Sequence, residues 1–254
     1  MRRIFITGAS TGIGEALARH YAGPQSEIGL FARRRDLLDK LAASLPGRNA
    51  VYAADITDVP AIAAAAKDFC ARFGVPDLVI ANAGISVGTR GEEIQDVEKL
   101  RRVLDVNVAG LAATLAAFAP AMRAAGSGTL CGIASVAGFR GLPGAGAYST
   151  SKAAAIAWLE SLRAELAGSG VSVVTICPGY IDTPMTQVNR YRMPFLISAE
   201  DAAQRFARAI ESRRRLAVIP WQMALVSLVL RALPGWLYDR MAARAPRKPR
   251  DVAL

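Results

Sequence analysis

A strand-like run, a glycine-rich turn and a helical segment open the chain, and this order constrains the fold more than any other feature. Residues 3–6 are apolar, residues 8–14 read Gly-Ala-Ser-Thr-Gly-Ile-Gly, and residues 15–21 have a helical pattern. Glycines let the backbone approach a phosphate closely, and a helix N-terminus attracts negative charge. The segment is therefore typical of a turn that binds a dinucleotide pyrophosphate, although its G-x-x-x-G-x-G spacing differs from the commoner G-x-G-x-x-G.

Six further strand-like runs follow and alternate with helices. The strand-like runs are residues 27–32, 50–54, 78–81, 129–134, 171–176 and 216–219, and helical patterns cover 60–71, 92–104, 108–124 and 147–167. This alternation predicts an α/β fold of the Rossmann type, with a doubly wound, mostly parallel, seven-stranded sheet and helices on both faces. We predict that residues 1–220 form a dinucleotide-binding catalytic domain, and that residues 221–254 extend it with amphipathic, basic helices.

The composition excludes several kinds of site. The sequence has one histidine, and its three cysteines, Cys70, Cys131 and Cys177, are far apart without metal-ligand spacing. Neither a metal site nor a Ser-His-Asp triad is predicted. The N-terminus does not have the pattern of a signal peptide, and no run reaches 18 uncharged apolar residues. We therefore expect reduced thiols and a cytoplasmic location.

Tyr148 and Lys152 form the pair most suggestive of chemistry. They are four residues apart in a helical segment, so both lie on one face. A phenol has an ordinary pKa near 10, and an ammonium about 4 Å away at an effective dielectric of about 20 contributes roughly 4 kcal/mol. We expect this charge to lower the pKa of Tyr148 by about 3 units and to make it a proton donor and acceptor near neutral pH.

A Tyr–Lys pair of this spacing is common by chance, but other polar residues stand where ligands bind in α/β sheets. Asp55, Asn82 and Ser135 follow predicted strands, and Asn107 lies between two helical segments. Together these motifs resemble the classical short-chain dehydrogenase/reductase family over residues 3–220. The matching pieces are residues 7–14, Asp55, Asn82-Ala83-Gly84, Asn107, Ser135, Tyr148-x-x-x-Lys152 and Pro178-Gly179.

The resemblance implies a role for each matching residue. Tyr148 would be the general acid/base, Lys152 would bind the nicotinamide ribose and lower the pKa of the tyrosine, Ser135 would bind the substrate oxygen, and Asn107 would hold a relay water. Asp55 would lie at the adenine, and Ile181 and Thr183 would lie at the nicotinamide carboxamide. The remaining predicted cofactor residues are Gly8, Ser10, Thr11, Gly12, Ile13, Gly14, Ile56, Asn82, Ala83, Gly84, Pro178 and Gly179.

Arginines after the second strand indicate which cofactor is preferred. Residues 33–35 are all arginine, and Ala32 offers no carboxylate for a ribose 2′-hydroxyl. A guanidinium suits a 2′-phosphate, so Arg33 and Arg34 predict NADP(H) rather than NAD(H). A solvated basic turn is the alternative. Two other functions stay open: an NAD-dependent alcohol dehydrogenase of the same family, and a non-catalytic NADP-binding sensor, in which a broken Tyr–Lys pair would be expected.

Residues 183–197 are expected to form a lid over a small-molecule carbonyl or alcohol substrate. Apolar residues there and in the loop before Tyr148 predict a hydrophobic substrate pocket. These residues are Met185, Val188, Met193, Phe195 and Leu196 of the lid, and Phe139 and Leu142 of the loop.

The C-terminal part is strongly basic, since residues 205–250 contain eleven Arg or Lys and two acids. Its apolar runs, residues 221–233 and 236–244, carry Trp and Tyr and are flanked by Arg. This pattern fits peripheral contact of residues 221–250 with the inner face of a membrane. The alternative is packing on the pocket or on another subunit of a homodimer or homotetramer. No nucleic-acid recognition motif is present, so nucleic acid is not an expected partner.

Overall fold

The computed structural model describes residues 1–189, 191–244 and 247–250. Arg190 of the predicted lid, and residues 245–246 and 251–254 of the predicted extension, lie outside the described residues. Seven strands form one sheet in the order β3-β2-β1-β4-β5-β6-β7, and every pairing is parallel. The strands are β1 Arg2–Thr7, β2 Ser26–Ala32, β3 Arg48–Ala53, β4 Leu78–Ala81, β5 Gly128–Ile133, β6 Val171–Pro178 and β7 Leu216–Ile219. The predicted doubly wound Rossmann-type fold is confirmed.

Helices connect the strands and cover both faces of the sheet. They are α1 Gly12–Tyr21, α2 Arg35–Ser44, α3 Val59–Phe73, α4 Asp96–Leu104, α5 Gly110–Ala125, α6 Gly146–Glu165, α7 Pro184–Gln187, α8 Ala199–Glu211, α9 Trp221–Ala232 and α10 Gly235–Ala242. Asp58 caps α3, because its carboxylate accepts a hydrogen bond from the Ala61 amide at 3.0 Å. The amphipathic helix α8, capped by Ser198, has no counterpart in the sequence prediction.

Side chains alternate across each strand, and this divides the core into two layers. Ile4 and Ile6 pack in the layer formed with α1, α2 and α8. Phe5 points to the opposite face, where its ring lies 5.6 Å from that of Phe69 in α3 and 4.8 Å from that of Phe118 in α5. Burial of such side chains stabilises the fold by about 1.5–3 kcal/mol each. The sheet is therefore fixed from both faces, and its carboxyl edge becomes a rigid platform.

Asn107 differs from its predicted position between two helices. Helices α4 and α5 are continuous, and the residues Asp105–Ala109 that join them form a π-helical turn. The widened turn places Asn107 in the interior, where it is fully buried.

One helix in the described part of the chain, Asp96–Ala125, is long and apolar enough to cross a membrane by length and composition. In this fold it packs on the sheet, and Leu111, Leu115, Phe118 and Met122 are buried in the core. Burial against the sheet therefore accounts for the apolar composition of this helix.

Candidate active site

A cleft of about 270 Å³ opens at the carboxyl ends of the strands. It brings together most of the residues predicted from the sequence, which lie at or after the carboxyl ends of β1 to β6 or in helices α1 and α6. The predicted residues that line it are Gly8, Ser10, Thr11, Ile13, Arg33, Arg34, Asp55, Ile56, Asn82, Ala83, Gly84, Ser135, Tyr148, Lys152, Pro178, Gly179, Ile181 and Thr183. Gly12, Gly14 and Asn107 do not line the cleft.

The glycine-rich turn forms one wall of this cleft. Gly8 has φ +67°, and a Cβ at this position would lie 2.8 Å from Cα of Ala83. Gly12 has φ +60°, and its Cβ would lie 3.2 Å from Cγ2 of Thr183 at the start of the predicted lid. A larger residue at either position would push the turn away from its neighbours. The turn therefore keeps a bare backbone beside the N-terminus of α1, which fits a pyrophosphate.

Asn82 supports the turn from the neighbouring strand. Its side-chain amide donates to the carbonyl oxygens of Thr7 and Gly8 at 3.0 and 3.3 Å, and its own backbone N–H donates to Oγ1 of Thr7 at 3.1 Å. The side chain is thus engaged in joining β1 to β4. This contact positions the predicted pyrophosphate turn.

Arginines and hydroxyls gather at the end of β2. Arg34 donates to Oγ of Ser10 at 3.1 Å and to Oγ1 of Thr11 at 3.0 Å, which fixes its guanidinium over the glycine-rich turn. Arg33 also lines the cleft. These guanidinium and hydroxyl groups can donate hydrogen bonds to an anionic group such as a phosphate.

Asp55 lies at the same end of the cleft. Burial raises the pKa of Asp55, but hydrogen bonds from Thr57 and the charges of Arg33 and Arg102 lower it by more. The group is therefore a carboxylate that can accept a hydrogen bond. Arg102, an exposed residue of α4, also lines the cleft and was not predicted, because the helical pattern does not show which arginine of α4 lies beside the cleft.

Tyr148 and Ser135 lie together deeper in the cleft. Tyr148 is the third residue of α6, as predicted, and Ser135 follows β5. The Ser135 hydroxyl accepts from the Ala137 amide at 3.1 Å and donates to the carbonyl oxygen of Pro178 at 3.4 Å. These bonds hold the serine hydroxyl beside the tyrosine, with which it interacts by hydrogen bonding.

Lys152 is buried beneath the same part of the cleft. Its Nζ donates to the carbonyl oxygen of Ile133 at 2.8 Å and lies 5.7 Å from the centre of the Tyr148 ring. Burial lowers the pKa of Lys152 to about 8. The lysine is thus held close to the tyrosine by the end of β5.

Asn107 is a support for the loop after β4. Its Oδ1 accepts from the Ile85 amide at 2.8 Å, and its Nδ2 donates to the Ile85 carbonyl at 2.9 Å and to Oγ of Ser151 at 3.0 Å. Ser151 precedes Lys152, so Asn107 connects the loop containing Gly84 to the helix that carries Tyr148 and Lys152. The predicted relay water is a separate expectation and stays a prediction.

The predicted lowering of the Tyr148 pKa is wrong for this structure. Burial raises the pKa of the Tyr148 hydroxyl, and the hydrogen bond with Ser135 lowers it by less. The error arose because spacing shows which side chains share a face but not how far desolvation opposes a neighbouring charge. The tyrosine is consequently a protonated phenol at neutral pH.

The predicted lid contributes less apolar surface than expected. Met185 of α7 lines the cleft, whereas Val188, Phe195 and Leu196 are exposed. Met193, Phe139 and Leu142 are partly buried and do not line the cleft. Instead, Tyr191 packs edge-on against Tyr180 with ring centres 6.4 Å apart. The predicted hydrophobic wall is thus confined to Met185 among these residues.

The C-terminal residues of the described chain cover the loops beside the cleft. Gly88 donates its backbone N–H to the Pro249 carbonyl at 3.0 Å, and Nζ of Lys248 donates to Oγ of Ser86 at 2.8 Å. Arg250 forms an ion pair with buried Asp96 at 3.0 Å. Residues 248–250 therefore pack on their own chain near the loop that follows Gly84, without lining the cleft. Whether the extension contacts the pocket, another subunit or a membrane stays a prediction.

A profile of the family described as short chain dehydrogenase matches residues 2–193. The chain belongs to the short-chain dehydrogenase family. This short-chain dehydrogenase is 36% identical over 246 residues to an uncharacterized oxidoreductase of Myxococcus xanthus, covering 96% of this chain and 97% of the relative. It is 35% identical over 184 residues to 2-dehydro-3-deoxy-L-rhamnonate dehydrogenase (NAD(+)) of a Sphingomonas species, covering 72% and 74% of the two chains.

Solved structures agree with this placement. The alcohol dehydrogenase of the archaeon Thermococcus sibiricus, complexed with 5-hydroxy-NADP, superposes with a TM-score of 0.76 at 26% identity and covers 86% of this chain and 96% of that one. The predicted family is confirmed. The protein is an NAD(P)-dependent dehydrogenase or reductase, and its glycine-rich turn, arginine cluster and buried lysine fit a nicotinamide dinucleotide. Among the described residues, no group of three or more His, Cys, Asp or Glu could hold a metal ion.

Proposed function

We propose that this short-chain dehydrogenase is an NADP(H)-dependent oxidoreductase that interconverts a carbonyl and a secondary alcohol on a hydrophobic substrate. One observation carries the proposal: a single cleft has Tyr148, Ser135 and Lys152 at one end and Arg33 and Arg34 at the other. This arrangement supports proton transfer beside a nicotinamide and recognition of a 2′-phosphate. Turnover of NADPH with a diverse set of ketones and aldehydes tests it, and tight NADPH binding without any turnover would contradict it.

The bound cofactor supplies the hydride, and the chain supplies the proton and the position. The Ser135 hydroxyl can turn from the Pro178 carbonyl, to which it donates at 3.4 Å, and donate a hydrogen bond to the substrate oxygen beside the Tyr148 hydroxyl. Because burial keeps Tyr148 protonated, its hydroxyl can transfer a proton to that oxygen as negative charge develops on it. The ammonium of Lys152 then stabilises the phenolate that is left. The protonated tyrosine is the form that the step from carbonyl to alcohol requires.

The preference for NADP(H) over NAD(H) follows from the arginine cluster. Arg34 is already held by Ser10 and Thr11, so a 2′-phosphate would meet a preformed set of donors. The Thermococcus structure with 5-hydroxy-NADP supports this choice, whereas the Sphingomonas relative is named for NAD(+). An NAD-dependent alcohol dehydrogenase is therefore the second candidate.

The double variant Arg33→Ala/Arg34→Ala separates these two candidates. We expect KM for NADPH to rise about 10- to 100-fold, because hydrogen bonds to a charged group contribute about 1.5–3 kcal/mol and about 1.4 kcal/mol is tenfold. KM for NADH should change little, because NADH has no 2′-phosphate. Initial-rate kinetics with both cofactors measure the effect.

Arg35→Ala is the matched control, since Arg35 is the next residue, does not line the cleft and forms an exposed ion pair with Asp39 at 3.5 Å. Its loss should leave both KM values near those of the parent chain. An equal rise in KM for NADH and NADPH in the double variant would contradict the 2′-phosphate role and favour NAD(H).

Apolar side chains of the cleft support the proposal of a hydrophobic substrate. Met185, Ile85 and Val106 line the cleft, and the described lid residues offer no charged side chain to it. A carbonyl panel graded by apolar surface should show kcat/KM rising with that surface. Turnover limited to small hydrophilic carbonyls would refute this part of the proposal while leaving the reaction type intact.

A non-catalytic NADP-binding sensor is the third candidate, and the intact Tyr148, Lys152 and Ser135 cluster argues against it. That the chain forms a homodimer or homotetramer stays a prediction, which size-exclusion chromatography with light scattering would test. The cytoplasmic location also stays a prediction.

A further inference from the structure

Helix α9 carries large apolar side chains on its outer side. Trp221, Leu225, Leu228 and Val229 recur at helical spacing and are 64%, 56%, 67% and 58% exposed. An ordinary surface helix has polar residues on this side. Four large apolar side chains exposed together on one side of a helix are typical of an interaction surface.

The inner side of α9 is held firmly, so the exposed stripe is not the result of an undocked helix. Met223 and Ser227 are buried. At the C-terminal end of α9, Arg140 donates to the carbonyl oxygens of Leu230 and Leu233, the latter at 2.9 Å. A cation is favourable at this end of a helix, where carbonyl groups lack partners.

The same arginine fixes α10. Its guanidinium lies 4.0 Å from the centre of the Tyr238 ring, and the Tyr238 hydroxyl donates to the Gly141 carbonyl. Helix α10 then exposes Trp236 and Met241, by 72% and 55%. We call the side chains of Trp221, Leu225, Leu228, Val229, Trp236 and Met241 the α9–α10 surface.

The charges on helices α9 and α10 and directly beside them are mostly positive. They are Arg231, Arg240 and Arg244, with one acid, Asp239. Arg231, Arg240 and Arg244 are exposed and form no ion pair with another described residue. Two copies of the chain facing each other here would bring these like charges together at a cost. An anionic surface would neutralise them.

We propose that the α9–α10 surface docks on an anionic lipid membrane. Exposed tryptophans, aliphatic side chains and unpaired arginines are the combination that binds at the boundary between headgroups and acyl chains. Helix α9 has 12 residues, so it lies on the bilayer and does not span it. The inference concerns the location of the protein and does not rest on the proposed reaction.

Vesicle co-sedimentation of the full chain tests the proposal. We expect binding to vesicles of phosphatidylcholine mixed with phosphatidylglycerol, much weaker binding to phosphatidylcholine alone, and a decrease in binding with added salt. The variant Leu225→Gln/Leu228→Gln should weaken binding at least about tenfold, because it removes apolar area that enters the bilayer. The variant Arg240→Glu/Arg244→Glu should weaken binding by about tenfold or more, since each cation contributes about 1 kcal/mol.

Ile94→Gln and Arg101→Glu are the matched controls, because Ile94 is 83% exposed and Arg101 is an exposed arginine on a different helix. Both should bind vesicles as the parent chain does. Circular dichroism and NADPH binding confirm that each variant is folded. Equal binding to neutral and anionic vesicles, or unchanged binding by both double variants, would overturn the proposal. The proposal would also be overturned if the parent chain were a dimer without lipid and the Leu225→Gln/Leu228→Gln variant were a monomer. The α9–α10 surface would then bind a second copy of the chain.

Discussion

Replacement of Tyr148 by phenylalanine should lower kcat for carbonyl reduction by about 10²- to 10⁴-fold, which is the range that general acid catalysis contributes. The substitution removes one hydroxyl and keeps the ring, so the packing of α6 against the cleft is preserved. Affinity for NADPH should therefore fall much less than kcat. Stopped-flow kinetics for kcat and fluorescence titration for the NADPH dissociation constant measure the two quantities separately.

Tyr191→Phe is the matched control for this prediction. Tyr191 is a second phenol near the cleft. Burial, and to a smaller extent Tyr180 and Tyr148, raise the pKa of Tyr191 to about 12. Unlike Tyr148, Tyr191 is not among the residues that line the cleft, so its hydroxyl is not placed to reach the substrate oxygen. Tyr191→Phe should retain most of the activity. Activity of Tyr148→Phe within tenfold of the parent, or a larger loss in Tyr191→Phe, would move the proton-donor role away from Tyr148.

The sequence predicted the sheet well because alternating strands and helices leave few topologies. Ile4 and Phe5 already show the two-sided burial that a parallel sheet needs. The position of the site was also predictable, since Asp55, Asn82 and Ser135 each follow a strand and strand ends meet at one edge. Motif spacing therefore located the cleft before any side-chain geometry was known.

Three features could not be read from the sequence, each for a physical reason. The direction of the Tyr148 pKa depends on desolvation, which spacing does not measure. The outward orientation of Phe195 and Leu196 belongs to an irregular segment without periodicity. Helix α9 is apolar on more than one side, so its pattern does not show that Met223 is buried while Leu225 and Leu228 are exposed.

The buried ammonium of Lys152 should destabilise the folded protein, although the proposed reaction requires it. Burial lowers its pKa from 10.5 to about 8, and one pKa unit is about 1.4 kcal/mol, so the ammonium destabilises the folded state by about 3 kcal/mol at neutral pH. Replacement by methionine removes this cost but leaves the Ile133 carbonyl without its partner, which costs about 1–3 kcal/mol. We expect Lys152→Met to be as stable as the parent or up to about 2 kcal/mol more stable by urea unfolding at pH 7, while kcat falls by at least about 10².

The pH dependence of the free energy of unfolding tests independently whether the Lys152 ammonium destabilises the folded state. Between pH 8 and 10 the folded protein holds Lys152 neutral while the unfolded chain still binds the proton, so the free energy of unfolding of the parent should rise with pH. Burial lowers the pKa of Lys248 to about 8 as well, and this lysine contributes to the same rise. Lys152→Met and Lys248→Met should each reduce the rise, but only Lys152→Met should also lower kcat, because Nζ of Lys248 is bound to Ser86 outside the cleft. The prediction would be contradicted if Lys152→Met kept the whole increase in the free energy of unfolding between pH 8 and 10 and were less stable than the parent at pH 7. The fold would then stabilise the buried ammonium, and Lys152 would not reduce stability for the sake of catalysis.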